Sequence, residues 1–258
     1  MRNKRFFSWG MAAFVAMVMS CATHYQVTDV QRTRLLIDQN YEQATTEEVK
    51  AYMQPFTAEV DKLMKPVLGT AAKDLVTGRP EAPLSNLLPD IFVWAGKLYG
   101  EKPDFSVYNT NGIRASIAKG DITIGDVFEV APFDNKITFL TLSGEKVKEL
   151  MEQIAYRKGE GVSHEVRMTI TPEGKLLSAT IGGKEIDPNA SYRIVTIDYV
   201  AHGNDRMTAF KSGTDVRELT GEDDLARSVI MKYVKEQTAN GKVVDCNVEG
   251  RITIVEKP

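Results

Sequence analysis

Apolar residues recur along the chain at two different periods, and the changes of period locate the elements. Thr45-Thr46-Glu47-Glu48 has the form of a capping box, and Val49, Met53, Phe56, Val60, Leu63 and Val67 follow at spacings of four and three. Side chains so spaced share one helical face, which predicts an amphipathic helix. Leu84, Leu87, Leu88, Ile91, Ala95 and Leu98 repeat the pattern until Gly100 and Pro103 break it. Phe105 and Val107 then alternate as in a strand and lead into the polar loop Asn109-Thr110-Asn111-Gly112-Ile113-Arg114. A strand that ends in such a loop sets side chains at a sheet edge, where binding sites are commonly built.

Further on, residues 137–142 read as a strand, and Ser143-Gly144-Glu145 opens a helix through Val147, Leu150, Met151 and Ile154. Residues 166–170, 176–181 and 192–197 are β-like runs separated by Pro172-Glu173-Gly174, Gly182-Gly183 and Pro188-Asn189, which predicts an antiparallel meander. Residues 223–237 read as a last helix and 251–255 as a closing strand. There is no internal repeat, so the pattern predicts one α+β domain with a mixed sheet and flanking helices.

Charge and composition narrow the function classes. The 258 residues are 43% hydrophobic and 26% charged with a formal net charge of -3, which permits a real core and argues against a strongly basic binder of nucleic-acid polymers. Met1-Arg2-Asn3-Lys4-Arg5 is basic, Phe6 to Met19 carries no charge, and Val18-Met19-Ser20-Cys21 follows. This run is too short for a membrane span and has the order of an export signal. Its end resembles a bacterial lipobox, which implies that Cys21 is lipidated and that acyl chains hold the protein at the cell envelope. An ordinary secretion signal with a chance cysteine is the other reading. Residues 1–21 are thus expected to be the signal, 22–44 a polar tether with a short strand at 34–37, and 45–258 the folded domain. Cys246 is left without a partner, so no disulfide framework is expected.

Several loop motifs share one resemblance. Asn109-Thr110-Asn111-Gly112-Ile113-Arg114-Ala115-Ser116-Ile117, Gly120-Asp121-Ile122-Thr123-Ile124-Gly125-Asp126-Val127, Ala131-Pro132-Phe133, Leu142-Ser143-Gly144, Pro83-Leu84-Ser85-Asn86-Leu87 and Ile197-Asp198-Tyr199-Val200-Ala201-His202-Gly203-Asn204-Asp205 stand in that family's order across about residues 80 to 255. Together they are similar to the C-terminal domain of 5'-nucleotidases. The resemblance implies that this domain binds the nucleotide while a separate metallophosphatase domain holds two metals. His24, His164 and His202 lie in no Asp-x-His or Gly-Asn-His-Glu context, so no catalytic or metal-binding residue and no cofactor is expected in this chain. Divalent metals are expected in a partner metallophosphatase.

Carried over position by position, the resemblance implies that Phe133 and Tyr199 enclose the base and that Asn109 and Arg114 are polar ligands. It likewise implies that Asp205 takes the ribose hydroxyls, and Arg79 lies near the place of a further family arginine. Base–ring stacking is worth roughly 1–3 kcal/mol per contact, and a guanidinium fork suits phosphate. Read without the motif, the two rings are as readily core, Asp205 a turn former and Arg79 a solvated loop residue. Two departures stand out: Arg206 occupies the place of a family glycine, and Thr110-Asn111-Gly112 replaces Gly-Gly-Gly. Arg206 either narrows the pocket or adds charge for an extra phosphate. The expected function is the substrate-binding subunit of a split 5'-nucleotidase. A stand-alone nucleotide-binding lipoprotein and a pure interaction module are the alternatives.

Overall fold

The computed structural model describes residues 28–31, 34 and 47–256. The expected export signal, Cys21, His24 and all of the predicted strand except Arg34 lie outside the described residues. The chain divides into two compact units, Met1–Met53 and Gln54–Pro258, and the fold that follows is that of the second. The first predicted helix, α1, is present as Glu47–Met64, and none of its residues is buried. No helix among the described residues is long and apolar enough to cross a membrane.

Three sheets build the domain. β1 (Val67–Ala71) pairs antiparallel with β3 (Gly120–Thr123). The central sheet joins β2 (Phe105–Tyr108), β4 (Ile137–Ser143), β5 (Gly161–Val162), β9 (Ser191–Ile197) and β10 (Thr214–Glu218) in the order β10-β4-β9-β2-β5. The third comprises β6 (Val166–Ile170), β7 (Leu176–Ile181), β8 (Lys184–Glu185) and β11 (Ile252–Ile254), ordered β11-β6-β7-β8. Helix α2 (Pro83–Ala95) packs on β2 and β5, and α3 (Ile124–Val130) follows β3. Helix α4 (Gly144–Tyr156) packs on β7, α5 (Asp198–Ala201) is one short turn after β9, and α6 (Ala226–Ala239) packs on β1. The mixed sheets and flanking helices are those predicted.

Three expectations change. The meander stops at β8, because β9 enters the central sheet, antiparallel to β4 and parallel to β2. Ile194, Val195, Thr196 and Ile197 are buried in succession, and a strand covered on both faces belongs at a sheet centre rather than on a half-solvated meander. The second helix ends at Ala95, and Leu98 falls in a 3-10 turn, Gly96–Tyr99. The last helix starts later than residue 223. A separate 3-10 turn, Glu222–Asp224, is tied off by the Asp224 carboxylate accepting from the Gly221 N–H at 3.1 Å. Extended Leu225 then separates that turn from α6.

Packing is tight where the layers meet. A Cβ on Gly69 of β1 would stand 2.4 Å from Thr238 Oγ1 and 2.7 Å from Val234 Cγ1 of α6, so only glycine allows that approach. Arg251 is buried, donating to both Asp90 oxygens at 2.7 Å, to Glu249 at 3.0 Å and to the carbonyls of Val162 and Asn86 at 2.8 and 3.2 Å. Cys246 is buried and free, and burial pushes its thiol up to about 11.

Candidate functional site

The parallel pair β2 and β9 sends two loops out of the same end of the central sheet, and β4 begins beside them. Ile137 of β4 pairs with Ile197 of β9, and the Asp198 N–H donates to the Lys136 carbonyl at 2.9 Å. Three loops therefore converge: 109–114 after β2, 198–206 after β9, and 131–136 before β4. They surround a cavity of about 340 Å³ lined by Asn109, Asn111, Gly112, Arg114, Phe133, Asn135, Tyr199 and Asp205.

Each side chain is set by its own local structure. Asn109 caps the 3-10 turn Thr110–Gly112, its carbonyl accepting from the Gly112 N–H at 2.9 Å. The Asn109 side chain is 4% exposed, and its Nδ2 donates to Asp205 Oδ2 at 2.7 Å. Its Oδ1 is buried with no hydrogen-bond partner among the described residues. A Cβ on Gly112 would stand 2.7 Å from that Oδ1, so the Asn109 amide requires glycine at 112. A buried amide oxygen left without a donor is costly unless a ligand or water supplies one.

Phe133 and Tyr199 are 47% and 41% exposed; neither ring is core. Phe133 is held by its backbone, whose carbonyl accepts from Arg227 Nη1 at 3.0 Å, and Arg227 also pairs with Asp134 and stacks on Phe128 at 4.8 Å. Tyr199 is the second residue of α5, with its N–H donating to Asp198 Oδ1 at 2.7 Å and its carbonyl accepting from Asn204 at 2.8 Å. Both rings are thus fixed at the root and open at the face. The Arg114 guanidinium lies 6.0 Å from the Phe133 ring centre, a cation–π distance, and Arg114 lines the cavity beside that ring.

After α5 the chain turns sharply: Gly203, Asp205 and Arg206 have φ of 78°, 53° and 62°. The left-handed region costs a non-glycine residue roughly 1–2 kcal/mol, and two such residues in succession put strain next to the cavity. Arg79 lines not the main cavity but an adjoining one of about 280 Å³, with Asn111, Tyr156, Arg157 and Arg206. Asn111 borders both, its Oδ1 accepting from Arg79 Nη1 at 3.1 Å. So five of the six ligand residues expected from sequence meet around one cavity, and the sixth stands next door.

A family model described as 5'-nucleotidase, C-terminal domain, matches residues 67–212. The chain belongs to this family. A 5'-nucleotidase of Vibrio cholerae is 33% identical over 108 residues, 40% of this chain and 19% of that protein. Endonuclease YhcR of Bacillus subtilis is 27% identical over 213 residues, 80% of this chain and 17% of that protein. A solved 5'-nucleotidase precursor of Thermus thermophilus superposes with a TM-score of 0.67 at 30% identity, over 82% of this chain and 43% of that one. The chain therefore spans about a fifth of these sequence relatives and under half of that structure.

Among the described residues no group of three or more His, Cys, Asp or Glu is gathered to hold a metal ion. His164 pairs with Glu249 at 2.8 Å and His202 with Glu218 at 3.2 Å. Neither histidine lines the site, which gathers aromatic, amide, guanidinium and carboxylate groups. Its least expected member is Glu160. This carboxylate is fully buried, accepts from Arg79 Nη2 at 2.7 Å and from the Thr110 N–H at 2.5 Å, and pairs with Arg157. It ties two arginines to the turn that carries Asn109. The i,i+3 spacing of Arg157 and Glu160 was its one trace in the sequence.

Proposed function

We propose that this chain is the nucleotide-binding part of a split, metal-dependent 5'-nucleotidase acting in nucleotide catabolism at the cell envelope. The purine or pyrimidine lies between Phe133 and Tyr199, and Asp205 accepts from the ribose hydroxyls. Asn109 holds Asp205 and the sugar edge in place, and the Arg114 fork receives the phosphate. The single observation that carries this reading is the pair of root-fixed, open-faced rings on one cavity of about 340 Å³ with Asn109, Arg114 and Asp205.

The chain's contribution is then orientation. A bound nucleotide clamped at base, sugar and phosphate presents its phosphoester bond in a fixed direction to a metallophosphatase on a separate polypeptide, which removes translational and rotational freedom before reaction. The anchor in this reading is a lipid on Cys21. The experiment is a titration of AMP and adenosine into the chain, followed by an assay of AMP hydrolysis with and without metallophosphatases that co-purify with it. Binding together with hydrolysis only in the mixture is the expected result. Hydrolysis by the chain alone sinks the division of labour, and binding that never stimulates any hydrolase leaves a stand-alone nucleotide-binding lipoprotein.

A further inference from the structure

The adjoining cavity holds three guanidinium groups, and their partners are unequal. Arg79 and Arg157 share the buried Glu160 carboxylate, and Arg157 Nη2 stands 3.5 Å from Asp205 Oδ1. Arg79 is further held by the Gly159 carbonyl at 2.7 Å and by Asn111. Two cations and two carboxylates offset one another there. Arg206 is the surplus. Its contacts among the described residues are the neutral Tyr156 hydroxyl at 3.2 Å and the Tyr156 ring, whose centre is 5.7 Å away. Arg206 is exposed and has no acidic partner among the described residues, so its charge faces the cavity.

The backbone places this charge against the main site. Asp205 and Arg206 are consecutive, both at positive φ, and they diverge: Asp205 lines the first cavity and Arg206 the second. Asn111 borders both, so the two spaces are neighbours and a ligand in the first has its Asp205 edge next to the second. Arg206 is thus held at a φ of 62° that side chains rarely adopt.

We propose that Arg206, backed by Arg157 and Arg79, forms a second anion subsite that takes a phosphate on the sugar edge of the bound nucleotide, so that nucleoside bisphosphates are preferred ligands. This rests on the nucleotide reading of the main cavity. There the group beside Asp205 is the ribose hydroxyl edge, so an anion that reaches Arg206 hangs from the 2′ or 3′ oxygen and not from the 5′ position. One hydroxyl remains for Asp205 to accept, and Arg157 stands between that carboxylate and the incoming phosphate. With Nη1 on the Tyr156 hydroxyl and the guanidinium over the tyrosine ring, the Nε and Nη2 edge is the one that would donate to two phosphate oxygens.

The test is calorimetry on the full-length chain with adenosine, AMP, adenosine 3′,5′-bisphosphate and adenosine 2′,5′-bisphosphate. One of the bisphosphates is expected to bind at least tenfold more tightly than AMP, with an advantage that shrinks as salt is raised. In Arg206→Gly the ratio of the two affinities falls to near one, and in Arg206→Lys it falls part of the way. Glycine relieves the positive φ, so a melting curve at or above that of the parent keeps the variant's result interpretable. AMP binding with no gain from either second phosphate overturns the subsite while leaving the nucleotide reading intact. A gain that survives in Arg206→Gly also overturns it. Failure of all four compounds to bind overturns both readings.

Discussion

Two arginine–carboxylate assemblies in this fold are built inside out relative to each other. At Arg251 the cation is buried, 1% exposed, and its acids, Asp90 and Glu249, sit towards the rim. Around Glu160 the acid is buried, fully covered, and its cations, Arg79 and Arg157, face an open cavity. The first arrangement gives every guanidinium nitrogen a partner within the fold and crosslinks α2, the end of β5 and the approach to β11. The second uses one hidden charge to aim two cations outward beside the main cavity. Burial of the cation makes a staple, whereas burial of the anion holds its cations at a cavity wall.

Breaking the staple should have the largest effect. Arg251→Met strands Asp90 in a site where burial already lifts its carboxyl above the ordinary carboxylate value against the pull of Arg251. Denaturant titration should show a loss of about 3–5 kcal/mol. A neutral result would mean that the assembly is not a staple. Glu160→Gln should cost less stability, roughly 1.5–3 kcal/mol for weakened charge-assisted bonds, but it should also lower AMP affinity, which Arg251→Met in its folded fraction should not. Equal effects of the two variants on affinity would erase the contrast between them.

The rings sharpen the same contrast. Phe133→Ala removes a half-exposed side chain, so the melting temperature should barely move, whereas AMP affinity should fall roughly 5–150-fold, the equivalent of about 1–3 kcal/mol of stacking. Truncation of Phe139, buried in β4, should do the reverse, with a loss of about 3–5 kcal/mol of stability. The smallest effect concerns pH. Glu101 accepts from Arg193 at 2.9 Å on both oxygens and from Arg217 at 3.1 Å, chiefly the Arg193 bonds holding its carboxyl below the ordinary value. A carboxylate lowered in the folded state stabilises above its unfolded value and stops doing so as pH falls through the folded one. Glu101→Gln should therefore flatten the loss of stability on acidification below about pH 4.5; an unchanged acid limb would assign that loss to other groups.

How far the sequence could be read depended on how local each determinant was. The loops carrying Asn109, Arg114, Phe133, Tyr199 and Asp205 were legible because each motif encodes its own turn, as Gly112 does for the Asn109 amide. β1 was not, since Val67-Leu68-Gly69-Thr70-Ala71 lacks alternation and its glycine is required by α6, which lies far along the chain. β10, exposed at all five residues, has no apolar face to betray it and exists by pairing with β4. Glu160 and Arg157 left no more than their i,i+3 spacing for a related reason: Tyr108 pairs with Gly161, and that register brings Glu160 to Thr110. Arg79 was placed near the site by resemblance, and the same register explains why it lands in the adjoining cavity.

The most direct measurement is a crystal structure of the chain soaked with AMP. The adenine ring should lie between Phe133 and Tyr199, with a ribose hydroxyl within hydrogen-bond distance of Asp205 and the phosphate at Arg114. Adenine bound elsewhere, or a main cavity that excludes AMP at concentrations where it binds in solution, would contradict the assignment of this cavity as the nucleotide site.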